Sequence, residues 1–391
     1  MSAAFHALDA IDPTGELSLA VERAGARRKV FRLLDAYTNE VQKEVFLPPD
    51  DDSSENKQIV IPWFQLQRTL LQAFSTASDA SEKNNDLVFL NHELESIDEN
   101  SYSELMRLTF TNQDTAYHAK IVIGADGNLS KVRALLLDEV WPEYAGACIW
   151  RMFLRGDYED IELGESNVWS GDGKVLGIQK MMSGEGDDED EHARVYVSGQ
   201  SGWPEEDLHV LDRRRYIGAE DGQNSGGTTR NKARVERFVS QFQDFPALKQ
   251  VVQFVKEHHD SASILEHPIY FRPPGRSWGK GRATLIGDAA HMIPPNMAMG
   301  TPLALEDAVA LAHSVARHGF GVEALRAYEL ERHPRVNHIS EAAIRLTGLY
   351  YKDKDDGANP FKMNDKELWG YIMDFQQDPL PSSILGSVSE L

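Results

Sequence analysis

The stretch RATLIGDAAHMIPPNMAMGTPLALEDAVALAHSV, residues 282–315, contains a short apolar run, a loop and an amphipathic segment in that order. The apolar run 283–286 has the length of a buried parallel strand and stops at Gly287-Asp288. Thr301-Pro302 predicts the start of a helix, with Thr301 as the N-cap, and Gly319 predicts its end. Ligands bind open α/β sheets at the carboxyl ends of their strands. The sequence therefore predicts an α/β fold with a ligand site near Asp288.

A second segment of the same kind, KIVIGADGNLSKVR, ends at Arg133. Gly124 and Gly127 permit a tight turn after an apolar strand, and Ser130 can cap the helix that follows. Asp126 would lie at the carboxyl end of its strand, as Asp288 does. In both places a carboxylate can accept hydrogen bonds from hydroxyl groups, and a helix start offers free backbone N–H groups.

Together these segments resemble the FAD-binding motifs of the group A flavoprotein monooxygenases, the family of para-hydroxybenzoate hydroxylase. The GDAAH sequence, the PP-containing loop, the E-D-A helix and the G-A-D-G-x-x-S-x-V-R motif all match. Ala298 stands where a glycine is usual, Pro302 where asparagine is usual, and Trp63 where an arginine usually contacts the cofactor. The resemblance assigns cofactor binding to Gly124, Asp126, Gly127, Arg133, Gly287, Asp288, Ala289, His291, Pro295, Ala298, Gly300 and Thr301.

The beginning of the sequence departs from the family pattern. Family members begin with a strand, a G-x-G-x-x-G turn and a helix, and no such turn is found near the start here. Residues 15–19 resemble the segment that follows that unit, so a βαβ-sized piece of on the order of 30 residues is expected to be missing. Because that turn approaches the pyrophosphate closely, we expect the 391-residue chain to retain FAD weakly and to be colourless when purified.

Periodicity predicts further elements around these motifs. Residues 11–19 favour a turn and a short strand. Strand-like alternation is found over residues 87–95, 105–111, 147–154, 175–181 and 193–198. Helical spacing is found over residues 24–37, 64–74, 233–259 (interrupted near Pro246) and 322–347. The last helix contains a sequence that resembles the Y-x-x-x-R-x-x-R signature closing the family's cofactor domain, although a solvated charged helix is an equal alternative.

The resemblance implies a Rossmann-like FAD/NAD(P)-binding domain, incomplete at its N-terminus, a mainly β substrate domain and C-terminal helices. Residues 1–30, 61–140 and 268–316 are assigned to the first, 31–60 and 141–267 to the second, and 317–391 to the third. In the family, one face of the substrate sheet covers the flavin ring. Candidates for that face, each explained more simply as sheet core, are Trp150, Met152, Trp169, Gln179 and Met181.

The composition excludes several classes of function. A formal charge of −22 leaves no basic surface for nucleic acid and disfavours an anionic membrane. The single cysteine, Cys148, and the spacing of the histidines predict neither disulfides nor a zinc cluster. No apolar run approaches a membrane span, and no leader is recognised, so a cytoplasmic location is the default expectation.

The resemblance implies an FAD-dependent monooxygenase. NADPH or NADH would reduce FAD, O2 would add at flavin C4a, and the hydroperoxide would hydroxylate or epoxidise a small, electron-rich, aromatic-like substrate. The cofactor supplies this chemistry, so no catalytic side chain is assigned. Asp288 would hold the ribityl or diphosphate side of the flavin, and the turn at Gly300 would face its pyrimidine edge. Two alternatives remain: a non-catalytic paralogue that binds a small ligand, and a flavin-dependent dehydrogenase, halogenase or epoxidase.

Overall fold

The computed structural model describes residues 2–46, 58–79, 88–99, 104–139, 141–181, 194–211, 227–259 and 263–351. Its helices are α1 (Ser2–Ile11), α2 (Glu16–Ala24), α3 (Trp63–Asp79), α4 (Lys131–Leu137), α5 (Gly227–Phe242), α6 (Lys249–His258), α7 (Asp288–His291), α8 (Gly300–His318) and α9 (Val322–Tyr351). Its strands are β1 (Ala26–Arg27), β2 (Val30–Asp35), β3 (Val41–Phe46), β4 (Ile59–Val60), β5 (Leu94–Glu99), β6 (Met106–Phe110), β7 (Tyr117–Ala119), β8 (Val122–Gly124), β9 (Glu143–Arg155), β10 (Glu165–Gly171), β11 (Lys174–Met181), β12 (Arg194–Gly202), β13 (Ser263–Phe271) and β14 (Ala283–Leu285).

The largest sheet has seven strands in the order β13-β9-β12-β11-β10-β2-β3. Its pairs are antiparallel except that β10 and β2 run parallel. One face packs against α5 and α6, where Trp150, Met152 and Leu154 of β9 are completely buried. Because side chains alternate along a strand, Arg151 and Phe153 lie on the opposite face. That free face forms one wall of the cavity described below.

The two motif strands lie side by side in a small parallel sheet. Val122 is paired with Ala283, and Gly124 with Leu285, so β8 and β14 end at the same level. Each strand leads directly into the turn that carries its motif. The helices α8 and α9 pack together beside this pair, and α1 packs against α8. The α/β fold class is confirmed, and Asp126 and Asp288 both follow the carboxyl ends of strands in one sheet.

Two predictions about the first residues are wrong. Residues 24–37 are not helical, because Val30–Asp35 forms strand β2 between β10 and β3. Strand β2 pairs with β10 without a shift in register, so Leu33 and Leu34 lie on opposite faces of the sheet, and both are buried. Burial of Val30, Leu33 and Leu34 gives a spacing that also fits a helix. Residues 11–19 do not form a strand either, since the Asp12 turn leads into helix α2.

The remaining elements follow the periodicity more closely. Helix α3 includes the predicted residues 64–74, and α9 includes residues 322–347. A 3-10 turn at Pro246–Leu248 separates α5 from α6, as the proline indicated. The β-meander is β5-β6-β7, although its first strand begins only at Leu94. Within the described part of the chain, no helix has the length and apolarity needed to cross a membrane.

Candidate functional site

A cavity of about 630 Å³ lies between the ends of the parallel pair and the free face of the large sheet. The first wall consists of the turns after β8 and β14 and the start of α8, and the opposite wall consists of side chains from β9, β11, β12 and β13. The segment 60–63 closes one edge. The sheet wall is lined by Arg151, Phe153, Met181, Tyr196 and Leu265.

Gly287 makes the sharp turn that connects β14 to α7. Its backbone angles, φ 58° and ψ −143°, are strained for any residue with a side chain, and a Cβ would lie 3.2 Å from the Cβ of Ala304. The Gly287 N–H donates to Asp307 Oδ2 over 2.9 Å, which fixes the turn from behind. Asp288 therefore follows the strand immediately and lies on the cavity wall.

The carboxylate of Asp288 lies next to the start of α8. Its Oδ1 is 3.9 Å from the position that a Cβ of residue 300 would occupy. The side chain is exposed to the cavity yet surrounded by protein, and this loss of water raises the pKa of Asp288, although the charges of His291 and Arg151 oppose the rise. A carboxylate in this position gains from a ligand that donates hydroxyl groups.

Helix α8 begins two residues earlier than predicted. Met299 is its N-cap and makes no side-chain capping bond, so the prediction that Thr301 is the N-cap is wrong. The first helical hydrogen bond runs from the Leu303 N–H to the Met299 carbonyl over 3.0 Å. The N–H groups of Gly300 and Thr301 precede that bond and lie at the positive end of the helix. Pro302 removes only the third of these unpaired donors.

The loop before α8 explains one departure from the family pattern. Ala298, which stands where a glycine is usual, adopts the left-handed conformation with φ 52° and ψ 30°. This conformation costs a residue with a Cβ about 1–2 kcal/mol. Ala298 keeps the turn at that cost and lines the cavity beside Pro295. Trp63 likewise lines the cavity from the start of α3, with 62% of its surface exposed.

The residues of the motif 124–133 fall into two groups, those that line the cavity and those that support the surrounding structure. Gly127 lines the cavity with φ 78°. Asp126 instead accepts hydrogen bonds from Ser130 Oγ (2.5 Å) and the Val132 N–H (3.0 Å) and so caps α4. A Cβ on Gly124 would come within 2.5 Å of Leu285 Cδ2, so this glycine allows β8 and β14 to pack closely.

Arg133 is completely buried behind α7. It donates hydrogen bonds to the carbonyls of Ala289 (3.1 Å) and Ala290 (3.3 Å) and pairs with Glu139 over 2.9 Å. Its contacts therefore support the backbone of the GDAAH segment and are directed away from the cavity.

A buried ionic network joins three motifs that the sequence analysis treated separately. His291 Nε2 lies 2.5 Å from Asp307 Oδ2, and Arg332 Nε donates to Asp307 Oδ1 over 2.8 Å. Arg332 and Arg335 both donate to Glu306 over 2.8 Å. Burial alone would raise the pKa of Asp307, but the charges and hydrogen bonds of His291 and Arg332 lower it. The interpretation of 328–335 as a solvated charged helix is therefore wrong for both arginines.

The residues that the resemblance assigned to the cofactor thus fall into two groups. Those that line the cavity are Gly127, Gly287, Asp288, Pro295, Ala298, Gly300 and Thr301. Those that do not line the cavity are the buried Gly124, Arg133, Ala289 and His291 and the exposed Asp126. Their roles toward a ligand stay predictions, but the contacts of the second group are with the protein itself.

Of the five candidates for the face that covers the flavin ring, Met181 lines the cavity. Trp150, Met152 and Trp169 belong to the core under α5 and α6, which is the simpler explanation that the sequence favoured for each of them. Gln179 is buried and does not line the cavity. Sequence reasoning missed Arg151, Phe153, Tyr196 and Leu265. The available signal was the strand period of two, which places Arg151 and Phe153 on the face opposite Trp150 and Met152.

Comparisons with known proteins agree with this arrangement. The family described as "FAD binding domain" matches residues 252–343, which include β14, α7 and α8. The chain is 30% identical over 236 residues to the aurachin C monooxygenase/isomerase of Stigmatella aurantiaca, covering 59% of this chain and 51% of the relative. It is 31% identical over 199 residues to the 2-heptyl-3-hydroxy-4(1H)-quinolone synthase of Pseudomonas aeruginosa, covering 51% and 44%. It thus spans about half the length of these relatives.

The solved structure of Klebsiella pneumoniae HpxO in complex with FAD and uric acid has the same fold, with a TM-score of 0.68, 18% identity, and coverage of 98% of this chain and 85% of that one. The relationship to the group A FAD-dependent monooxygenases that the two motifs indicated is confirmed. FAD is the cofactor of that family.

Proposed function

We propose that this chain functions as an FAD-dependent monooxygenase that uses NADPH or NADH and O2 to hydroxylate or epoxidise a small, electron-rich aromatic compound. The observation that carries the proposal is the cavity itself. One wall brings together a strand-end carboxylate, glycine turns and the start of a helix. The other wall is a sheet with an aromatic and aliphatic surface, which suits a planar organic ligand.

The first wall fits FAD. Asp288 would accept hydrogen bonds from the ribityl hydroxyls, and the N–H groups of Gly300 and Thr301 would face the electron-rich pyrimidine edge. Gly127 and Gly287 permit a ligand to approach the backbone closely, since neither carries a Cβ. When bound, FAD supplies the redox chemistry with O2, and the protein supplies binding and orientation.

The second wall fits the substrate. Phe153 and Tyr196 have ring centroids 5.0 Å apart, and Leu265 and Met181 extend the apolar surface on either side. Such a wall excludes water from the reacting centre and holds a flat ring parallel to the sheet. The quinolone in the name of one relative and the uric acid bound by HpxO are planar ring compounds, which supports an aromatic-like substrate.

A second candidate is a non-catalytic paralogue that binds a small ligand in the same cavity. The observation that favours it is Trp63, which lines the cavity where the family carries a cofactor-contacting arginine. The indole cannot replace the charge or the hydrogen bonds of a guanidinium. NADPH oxidation that depends on added FAD and on an aromatic compound separates the two candidates, because only the enzyme shows it.

FAD titration of two matched aspartate variants tests the cofactor site. Asp288→Ala removes a carboxylate from the cavity wall, so FAD affinity is expected to fall by about 10-fold or more, as loss of charge-assisted hydrogen bonds implies. Asp126→Ala removes a carboxylate that also follows a motif strand but caps α4. It should lower stability by about 1 kcal/mol and leave FAD affinity within about 3-fold. An equal loss of affinity in both variants, or in neither, would contradict the assignment.

A further inference from the structure

Two charged side chains line the cavity among the residues that the structure describes, and they lie on opposite walls. Asp288 belongs to the cofactor wall and Arg151, from β9, to the sheet wall. Two arginines elsewhere show the usual pattern of pairing: the buried Arg133 binds backbone carbonyls and Glu139, and the partly buried Arg237 forms an ion pair of 2.5 Å with Glu266. The hydrogen bonds and ion pairs found among the described residues do not include the Arg151 guanidinium.

Among the described residues, the neighbours of Arg151 on its own wall do not supply an anion. Phe153 and Leu265 are apolar, and Tyr196 is held neutral because burial raises the pKa of its hydroxyl. His267, on the neighbouring strand β13, is also neutral, since burial and the charge of Arg151 lower its pKa to about 4. A partly buried cation normally has a partner that offsets its loss of water. The wall therefore holds a guanidinium whose hydrogen-bonding capacity faces the cavity.

The ring-binding surface lies beside this guanidinium. Arg151 and Phe153 are two residues apart on β9, so their side chains stand on the same face of the sheet, and Tyr196 packs against Phe153. Phe64 contacts Phe153 edge to face from the other side, with ring centroids 5.9 Å apart. An aromatic surface next to a planar, forked donor matches a flat ring that carries an anionic oxygen pair.

We propose that Arg151 determines substrate specificity by binding the carboxylate, or an equivalent ionised oxygen, of a planar aromatic acid whose ring packs against Phe153 and Tyr196. The proposal rests on the proposed function, and it narrows the substrate from aromatic compounds in general to aromatic anions. Asp288 reinforces the choice of orientation, because its carboxylate repels the anionic end of the substrate from the cofactor wall and so leaves that end at Arg151.

Calorimetric titration with 2-naphthoate and its neutral isostere 2-naphthamide tests this proposal, in the presence and absence of saturating FAD. The unsubstituted protein should bind naphthoate about 10-fold or more tightly than naphthamide, as expected for a charge-assisted bidentate pair. Arg151→Met should remove this preference, and Arg151→Lys should retain part of it because lysine keeps the charge but not the fork. Arg151→Gln, which keeps a polar side chain, serves as the second neutral variant if methionine disturbs the wall.

Arg155→Met is the matched control. Arg155 lies on the same strand and the same face but is exposed and does not line the cavity, so its loss should leave the naphthoate preference unchanged. Equal affinity for acid and amide in the unsubstituted protein, or binding of neither, overturns the proposal. A loss of FAD affinity of about 10-fold or more in Arg151→Met with an unchanged acid preference also overturns it, because Arg151 would then belong to the cofactor.

The outcomes separate this proposal from the proposed function. A protein that keeps an Arg151-dependent preference for naphthoate but binds no FAD retains the anion site and loses the monooxygenase assignment. A protein whose FAD affinity depends on Asp288 but which shows no preference for the acid retains the monooxygenase assignment and loses the anion site.

Discussion

Asp288 and Asp307 belong to the same stretch of sequence, and the structure gives them opposite environments. Asp307 is completely buried, and paired cations lower its pKa. Asp288 is exposed to the cavity, and its pKa is raised because the surrounding protein removes water from it, although the charges of His291 and Arg151 oppose the rise. The buried carboxylate is thus the satisfied one, and the accessible carboxylate is available for a ligand. A family motif therefore combines residues that hold the framework with residues that meet the ligand.

The largest expected effect is on stability and comes from Asp307, the buried carboxylate that supports the fold. Asp307→Asn removes the carboxylate that contacts both His291 and Arg332, which leaves the buried Arg332 paired with Glu306 alone and should cost about 3–5 kcal/mol of unfolding free energy. Because the folded pKa of Asp307 is lowered, its contribution is present above the unfolded pKa and is lost as pH falls through the folded value. Urea unfolding at pH 7 and at decreasing pH measures both effects.

Glu323→Gln is the control for this experiment. Glu323 also belongs to an ion pair, with His318, but its side chain is 78% exposed. Its loss should change the unfolding free energy by less than about 0.5 kcal/mol. A change in Asp307→Asn as small as that in the control would show that the buried network does not support the fold.

Replacing each glycine of the motif 124–133 by alanine should give effects of intermediate size, and these should differ between Gly124 and Gly127. Gly124→Ala places a methyl group 2.5 Å from Leu285 Cδ2 and 2.8 Å from Val132 Cβ, so overpacking should destabilise the protein by about 1–3 kcal/mol. Gly127→Ala meets no atom within 4 Å, and its cost is the backbone strain at φ 78°, about 1 kcal/mol. FAD affinity distinguishes them further, since only Gly127 lines the cavity. Equal FAD affinity in Gly124→Ala and Gly127→Ala would contradict the assignment of Gly127, and not Gly124, to the ligand site.

The smallest expected effect concerns Asp288, the carboxylate that faces the cavity. Its contribution to stability depends on pH in the opposite direction to that of Asp307. Asp288 has a raised folded pKa, so its contribution to stability is fully present below the unfolded pKa and is lost as pH rises through the folded value. At pH 7.5 the neutral variant Asp288→Asn should therefore melt slightly higher than the unsubstituted apoprotein, and the difference should shrink toward pH 4. Differential scanning fluorimetry at the two pH values measures this. A lower melting temperature for Asp288→Asn at pH 7.5 would contradict the interpretation of Asp288 as an unpaired ligand group.

The sequence was most informative where local chemistry determines the structure. The turns at Gly127 and Gly287 and the strands that precede them follow from glycine and apolar patterning over a few residues. The pairing of Asp307 with Arg332 could not be predicted in this way, because it depends on how α8 and α9 pack. Residues 24–37 were misassigned because Val30, Leu33 and Leu34 are all buried, although Leu33 and Leu34 lie on opposite faces of β2, and that spacing also fits a helix.

The substrate wall was the least predictable part of the site. Residues 145–154 of β9 are almost continuously apolar, so hydrophobicity does not show which face is core and which is free. Arg151 is the exception within that run, and the strand period places it opposite Trp150. Recognising it required knowledge that α5 and α6 cover only one face of the sheet. Packing between distant segments of the chain determines which face of β9 is free, and no local sequence pattern shows this.

The alternation along β9 has a consequence for how this protein can change. Trp150, Met152 and Leu154 anchor the fold on one side of the strand, while Arg151 and Phe153 meet the cavity on the other. Substitutions at Arg151 and Phe153 can therefore change the preference for a compound while Trp150, Met152 and Leu154 preserve the fold. Saturation libraries restricted to positions 151, 153 and 196 would vary the side chains that face the substrate and yield few unfolded members. These positions are therefore suited to altering the substrate range.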